Sequence, residues 1–256
     1  MNGILFNYRL ISFSLLFLSF ANASAIADTT VFKSGPGQTV LIELFTSEGC
    51  SSCPPADEWM STFKNSPDVW KIFVPVAFHV DYWNYLGWND AMSLAQFSER
   101  QRNYASRWRL PSVYTPMIVN NGKESKEWYQ TPTLSIKGKK DAGVLKIEKK
   151  NEEEFEVEFS PPNNIFTGRV WVNAAYLGND MVYHVERGEN QGRTLRHDFT
   201  VLSFQKKELV YQEGILKSTI QFDLKNSSSA PHHAIAAWVT REDYTEPLQA
   251  VGGVLD

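Results

Sequence analysis

The pattern of the chain predicts an α/β first half followed by an all-β, antiparallel second half. Two observations carry this prediction. Between Thr39 and about Tyr129, apolar strand-like runs alternate with segments of helical period. From Gly143 onward the apolar period is two, and short segments are parted by turn residues. The expected layout is a leader over residues 1–25, an α/β domain over 31–140 in the order β-α-β-α-β-β-α, and a sandwich-like domain over 141–256.

Each element of the first half has a local reason. TVLIELFT (Thr39 to Thr46) is β-branched and apolar, as a buried central strand requires. PPADEWMSTFK follows, with Trp59, Met60 and Phe63 at helical spacing and two prolines where missing N–H groups cost nothing. VWKIFVPVAFHV (Val69 to Val80) reads as a second buried strand, with Pro75 marking a bulge or an edge. Ala91 to Trp108 is amphipathic, with Leu94, Phe97, Tyr104 and Trp108 roughly on one face. PSVYTPMIVNNGKESKEWY then reads as strand, Asn120-Asn121-Gly122 turn, strand, with a short closing helix expected around Pro132 to Lys140. In the second half, segments such as EFEVEFS, RVWVNAAYL and HAIAAWVTR are separated by turn clusters, among them Ser227 to Ser229.

The N-terminus combines Arg9, an apolar stretch from Leu10 to Phe20, and small residues around Ala23-Ser24-Ala25 that fit a cleavage site. This predicts a secretory signal peptide; a membrane anchor needs about 18 or more apolar residues. The protein is therefore expected to be exported, periplasmic or secreted, where disulfides persist. Net charge is −4 with no basic stripe, which argues against nucleic acid or an anionic membrane as partner.

ELFTSEGCSSCPPAD (Glu43 to Asp57) holds Cys50 and Cys53, the only two cysteines. By themselves they fit a redox couple, half of a metal site or a structural clip. Tetrahedral zinc needs four ligands, and the five histidines are scattered along the chain. A disulfide closing so short a loop stabilises little. A strand, a tight turn and a helix start would set Cys50 at a helix N-terminus, whose unpaired N–H groups favour a thiolate. That makes Cys50 the nucleophile and Cys53 the resolving thiol, with Glu48 opposing the thiolate by its charge.

The strand–turn–C-x-x-C–helix order resembles the thioredoxin fold. The resemblance implies a cis-proline facing the cysteines, and Thr115-Pro116 stands in the matching place; Thr115 would pair its backbone with a bound peptide. Without the resemblance, Pro116 reads as an ordinary proline at a strand start. The motif above, HVDYWNYLGW (His79 to Trp88), QRNYA (Gln101 to Ala105), YTP (Tyr114 to Pro116) and RGENQGRTL (Arg187 to Leu195) together resemble the secreted thioredoxin-like family catalogued as domain of unknown function 1223. That resemblance implies a thioredoxin-like domain followed by a β-rich one. The usual Trp-Cys-Gly-Pro-Cys signature is missing from this chain.

Glu43, seven residues before Cys50, resembles the buried acid by which thioredoxins relay a proton; the plainer reading is an acid paired with Arg or Lys. Trp83 and Trp88, with Tyr82 and Tyr85, form an aromatic cluster suited to gripping a peptide or to packing between domains. His79 with Asp81, and His184 with His197, are weaker candidates for copper or another metal. The GENQG segment reads as a hairpin loop. The expected function is thiol–disulfide oxidoreduction on protein or peptide thiols, with a Cys50–Cys53 disulfide as redox group, an unidentified electron partner and no organic cofactor. The rivals are a non-catalytic binding scaffold with a structural disulfide and a copper(I) metallochaperone.

Overall fold

The computed structural model describes residues 3, 30–126, 128–129, 138–162, 168–225, 229–241 and 246–256. The expected leader, apart from residue 3, residues 132–137 of the helix expected around Pro132 to Lys140 and most of the 227–229 turn lie outside the described residues. No described helix is long and apolar enough to cross a membrane.

β2 (Val40–Thr46) is buried along its whole length. It pairs in parallel with β3 (Phe73–His79) and antiparallel with β4 (Met117–Asn120). β4 turns back into β5 (Lys123–Ser125) through Asn121 and Gly122 at φ 48° and 82°, the left-handed pair that a two-residue hairpin needs. Alternation then sorts the side chains of β2. Leu41 and Phe45 pack with Phe97 and Tyr104 of α2 (Ala95–Trp108). Ile42 and Leu44 pack with Ala56 and Met60 of α1 (Pro54–Ser61). The two helices therefore cover opposite faces of this part of the sheet. Pro75 sits inside β3, opposite Ile42. The amide of Ala77, two residues on and on the same edge, donates to Phe199, and Thr200 of β11 (Thr200–Gln212) is the single partner in register there. Pro75 thus falls where β3 has no ladder to lose.

The second half is built on β6 (Val144–Lys149), β7 (Glu154–Ser160), β8 (Val170–Asn179), β9 (Met181–His184), β10 (Thr194–His197), β12 (Ile215–Gln221), β13 (His232–Arg241) and β14 (Gln249–Val254), with β1 (Val31–Lys33) joined to β6. No α-helix occurs after Trp108 among the described residues. The long strand β11 links everything. Its first ten residues pair with β8 and touch β3; its last three pair with β12. One mixed sheet of twelve strands results, running β1-β6-β7-β12-β11-β3-β2-β4-β5, with β8, β13 and β14 branching from β11. The β9–β10 hairpin stands apart as its own small sheet.

This architecture overturns the expected fold class. In place of a thioredoxin-like α/β domain followed by a separate all-β sandwich, a single mixed sheet of twelve strands carries two α-helices, both in the first half. The physical reason lies in β8 and β13. A sandwich strand alternates between core and water, but eight successive residues of β8 and seven of β13 are buried. Ile235, Ala237 and Val239 face the core shared with β6, β7 and β12. Ala234, Ala236 and Trp238 face the other way, into the core that contains β2, β3 and α2. The two halves share one interior.

A buried amide stitches the same seam. Gln249 of β14 accepts from the Thr39 amide at 2.7 Å, and its Nε2 donates to the carbonyls of Gly143 (2.8 Å) and Gly37 (2.9 Å). Gln249→Ala would leave these groups buried without partners, at about 1–3 kcal/mol for each. The expected result is a fall in unfolding free energy of about 3 kcal/mol, read from the urea midpoint. A loss under about 1 kcal/mol would show that the seam does not depend on this side chain.

Candidate functional site

The loop from Ser47 to Cys53 leaves the end of β2 and enters α1. Cys53 is the N-cap of α1, with Pro54 following it, and its carbonyl accepts from the amides of Ala56 and Asp57. Cys50 lies one turn earlier, joined by the Cys53 amide donating to the Cys50 carbonyl at 3.2 Å. The helix therefore begins after the pair and not at Cys50. Both cysteines are free thiols and both are buried, at 1% and 0% exposure, while Ser51 and Ser52 between them are exposed.

The sequence-predicted residues divide into two groups. Thr115, joined to Pro116 by a cis peptide bond, meets the cysteines. The Cys50 thiol lies 3.8 Å from the Thr115 carbonyl, which also accepts from the Ser52 hydroxyl at 3.4 Å. Two neighbours position this turn. Gln101 of α2 donates to the Tyr114 carbonyl at 2.7 Å, and Trp83 Nε1 donates to Thr115 Oγ1 at 2.8 Å. Trp83 is half-buried and packs so close to Gly49 that a Cβ there would stand 2.9 Å from its own Cβ. Trp88 is also half-buried, its Nε1 donating to Glu48 Oε2 at 2.7 Å. These indoles brace the loop; of the aromatic cluster, Tyr85 alone is largely exposed.

Glu43 is not brought to the thiols. It shares the β2 face of Leu41 and Phe45, opposite α1, where Arg100 Nε donates to its Oε1 at 2.7 Å and the Tyr104 hydroxyl donates to its Oε2. Arg100 is itself stacked over Tyr104 and Trp238. His184 and His197 also stay apart, since His184 pairs with Thr194 and His197 with Met181. His79 and Asp81 have different partners: His79 Nδ1 lies 2.7 Å from Asp90, and Asp81 accepts from Ser98.

The local chemistry separates the two sulfurs. Cys50 is lowered from 9.0 to about 6, first by the hydrogen bond from the Cys53 thiol, then by Ser52 and Thr115, against the cost of its burial. Desolvation pushes Cys53 well above the ordinary thiol range, and the adjacent Cys50 and Asp57 add to the rise. Donors beside Cys50, more than the helix end, set this order. Glu48 does not face Cys50: it turns to Trp88 and, through Oε1, towards His197 at 3.3 Å.

Several residues of the site gave no signal in the sequence. Asn190, in the loop between β9 and β10, donates through Nδ2 to the carbonyls of Glu48 (2.8 Å) and Cys50 (2.9 Å), and Glu189 accepts from the Ser51 amide at 3.0 Å. GENQG is thus a clamp on the cysteine loop as well as a hairpin loop. Beneath it lies a buried polar layer. Asp90 accepts from the Glu48 amide, and against the cost of burial the His79 ring and this amide hold its carboxyl below the ordinary range. His197 stands between Asp57 and Glu48; burial opposes its charge, but the two carboxylates raise it to about 10. Asp57, His79 and His197 each offer a ligand atom within 4.8 Å of the others.

The family described as "Protein of unknown function (DUF1223)" matches residues 41–240, and the chain belongs to that family. No curated protein matches the chain with significance. Two solved structures share its fold. A crystal structure of a protein from Agrobacterium tumefaciens is 23% identical with a TM-score of 0.55, over 87% of this chain and 96% of that one. HBP35 of Porphyromonas gingivalis is 16% identical with a TM-score of 0.60, over 87% of this chain and 77% of that one.

The clamp is testable. Asn190→Ala would strand two buried carbonyls, costing about 2 kcal/mol or more. Cys53 in the folded, reduced protein should then alkylate faster by about tenfold or more, because the loop opens more often. An unchanged alkylation rate would show that Asn190 does not hold the loop closed.

Proposed function

We propose that this member of the family is an exported thiol–disulfide oxidoreductase that uses its Cys50/Cys53 pair on protein or peptide thiols and disulfides. The observation that carries the reading is the unequal surroundings of the pair: Cys50 Sγ lies 3.3 Å from the Ser52 hydroxyl and against Thr115, which lowers its thiol to about 6, beside a wholly buried Cys53 held protonated. At neutral pH one sulfur is a nucleophile and its neighbour keeps its proton.

From the dithiol state the steps balance as follows. The Cys50 thiolate attacks one sulfur of the partner disulfide, forming a Cys50–partner bond and releasing the other partner sulfur as a thiolate. Cys53 gives up its proton to the sulfur that leaves and attacks Cys50. The Cys50–Cys53 disulfide forms, the second partner sulfur departs, and the partner has gained the two electrons that the pair has lost. A dithiol electron partner restores the reduced state. The Thr115 carbonyl, 3.8 Å from the Cys50 sulfur, is placed to accept a backbone N–H from the docked partner.

Burial of both sulfurs favours a second reading, a scaffold that binds a partner without chemistry. Alkylation and trapping separate the two. If Cys50 is the nucleophile, its alkylation rate in the reduced protein should rise with a midpoint near pH 6 and level off above pH 7. Cys53→Ala removes the largest cause of the lowering, so the midpoint should move up towards 9.0. Cys53→Ser should retain a mixed disulfide with a model peptide disulfide, and Cys50→Ser should retain none. A Cys50 that resists alkylation below pH 8 in the folded chain, with no trapped adduct, would establish the scaffold reading in its place.

A further inference from the structure

The polar layer under the cysteine loop is more than the thiol chemistry requires. Three carboxylates, Glu48, Asp57 and Asp90, are buried at 0%, 6% and 2% exposure around two histidines at 0% and 2%. Burying that much negative charge is costly unless cations or donors offset it. The described structure supplies no Lys or Arg to any of the three; their close charged partners are His79 and His197 alone. The histidines are incompletely used. His79 Nε2 has no hydrogen-bond partner, and neither His197 Nδ1 nor Nε2 makes a hydrogen bond of good geometry. Buried ring nitrogens without partners are uncommon and point to a missing group.

The orientation of these groups identifies that group. His79 Nδ1 is 2.7 Å from Asp90 Oδ2, so an ionised Asp90 fixes the proton on Nδ1 and leaves Nε2 with a lone pair and no partner. His197 Nε2 faces Glu48 Oε1 at 3.3 Å, which leaves Nδ1 directed at Asp57, 3.6 Å from its Oδ1. Asp57 Oδ2 accepts from the Thr46 hydroxyl at 2.8 Å, which leaves Oδ1 to face His197. The outer atoms of His79 and Asp57 are thus held by a second group, and that of His197 faces Glu48. Carboxylates behind ligating histidines are the usual outer shell of a metal centre.

We propose that His79, His197 and Asp57 bind one divalent transition-metal ion of the zinc(II) class through Nε2, Nδ1 and Oδ1. One ligand atom from each of the three side chains lies within 4.8 Å of the other two. Ligands at about 2.1 Å from a tetrahedral ion stand about 3.4 Å apart, so a contraction of up to about 1.4 Å closes the site. Two imidazoles and one carboxylate are borderline donors that suit zinc(II), cobalt(II) or iron(II) over copper(I) or calcium. The ligands come from β3, α1 and β10, so the ion would join the helix that Cys53 caps to the large sheet and to the β9–β10 hairpin. The proposal is independent of the redox reading, since neither sulfur is a ligand.

The test uses the full chain, reduced and stripped by chelator, titrated with cobalt(II) and then with zinc(II). One equivalent of cobalt should be retained through gel filtration with visible d–d absorption and without sulfur-to-cobalt charge transfer. Zinc should displace it, and either ion should raise the melting temperature. Asp57→Asn keeps the size of the side chain and should weaken binding by at least about a hundredfold, with His197→Gln as a second variant. The Cys50→Ser/Cys53→Ser double variant should bind as the parent does. Failure of the folded parent to retain cobalt, undiminished binding by folded Asp57→Asn, or loss of binding in the double cysteine variant would each overturn the site. None of these outcomes bears on the alkylation and trapping experiments.

Discussion

The contact of β11 with β3 is the constraint from which the site follows. Thr200 lies in register with Ala77, and the Ala77 amide donates to the Phe199 carbonyl at 2.8 Å. This short parallel bridge sets the direction in which the chain leaves β10 just before it. His197 is thereby delivered beneath α1, and the loop carrying Glu189 and Asn190 is laid over the cysteines. The thiols stand at the end of a strand of the first half, but their cover and part of their charged floor come from the second.

That arrangement explains the unequal sulfurs. A turn before a helix leaves amides free, yet the groups that act on Cys50 are mainly the Cys53 thiol, Ser52 and Thr115. They are in place because Gln101 and Trp83 fix the Tyr114–Thr115 segment from one side and Asn190 fixes the loop carbonyls from the other. Hydrogen bonds to the charged form of one sulfur and desolvation of the other are distinct causes, and here they act within one turn of chain.

Much of the first half was legible because its signals are local. The apolar run Val40–Thr46, the Asn121-Gly122 turn and the prolines opening α1 are decided by a few neighbouring residues. The second half misled because HAIAAWVTR carries no mark of what covers it. Small residues in β13 are a sign of close approach from both sides, but alternation alone reads them as a half-solvated strand. Glu43 shows the same limit. Its parity with Leu41 and Phe45 was readable, whereas the face on which α1 lies was not. Asn190 and His197 are distant in sequence from Cys50, and no local pattern assigns a loop amide or a strand histidine to a site over 130 residues away.

The seam between the halves also bears on how such a chain can evolve. Trp238 is fully buried, stacked on Phe204 and set edge-on to Phe78 of β3. Trp238 and its neighbours Ala234 and Ala236 are core only while the first half is present; alone, the second half would turn an apolar sheet face to water. The reverse holds for Phe45 and Phe78. Neither half can be lent to another protein as a unit by recombination. Change must come by paired substitutions across the shared interior, so the thiol site and the β-rich half are inherited together.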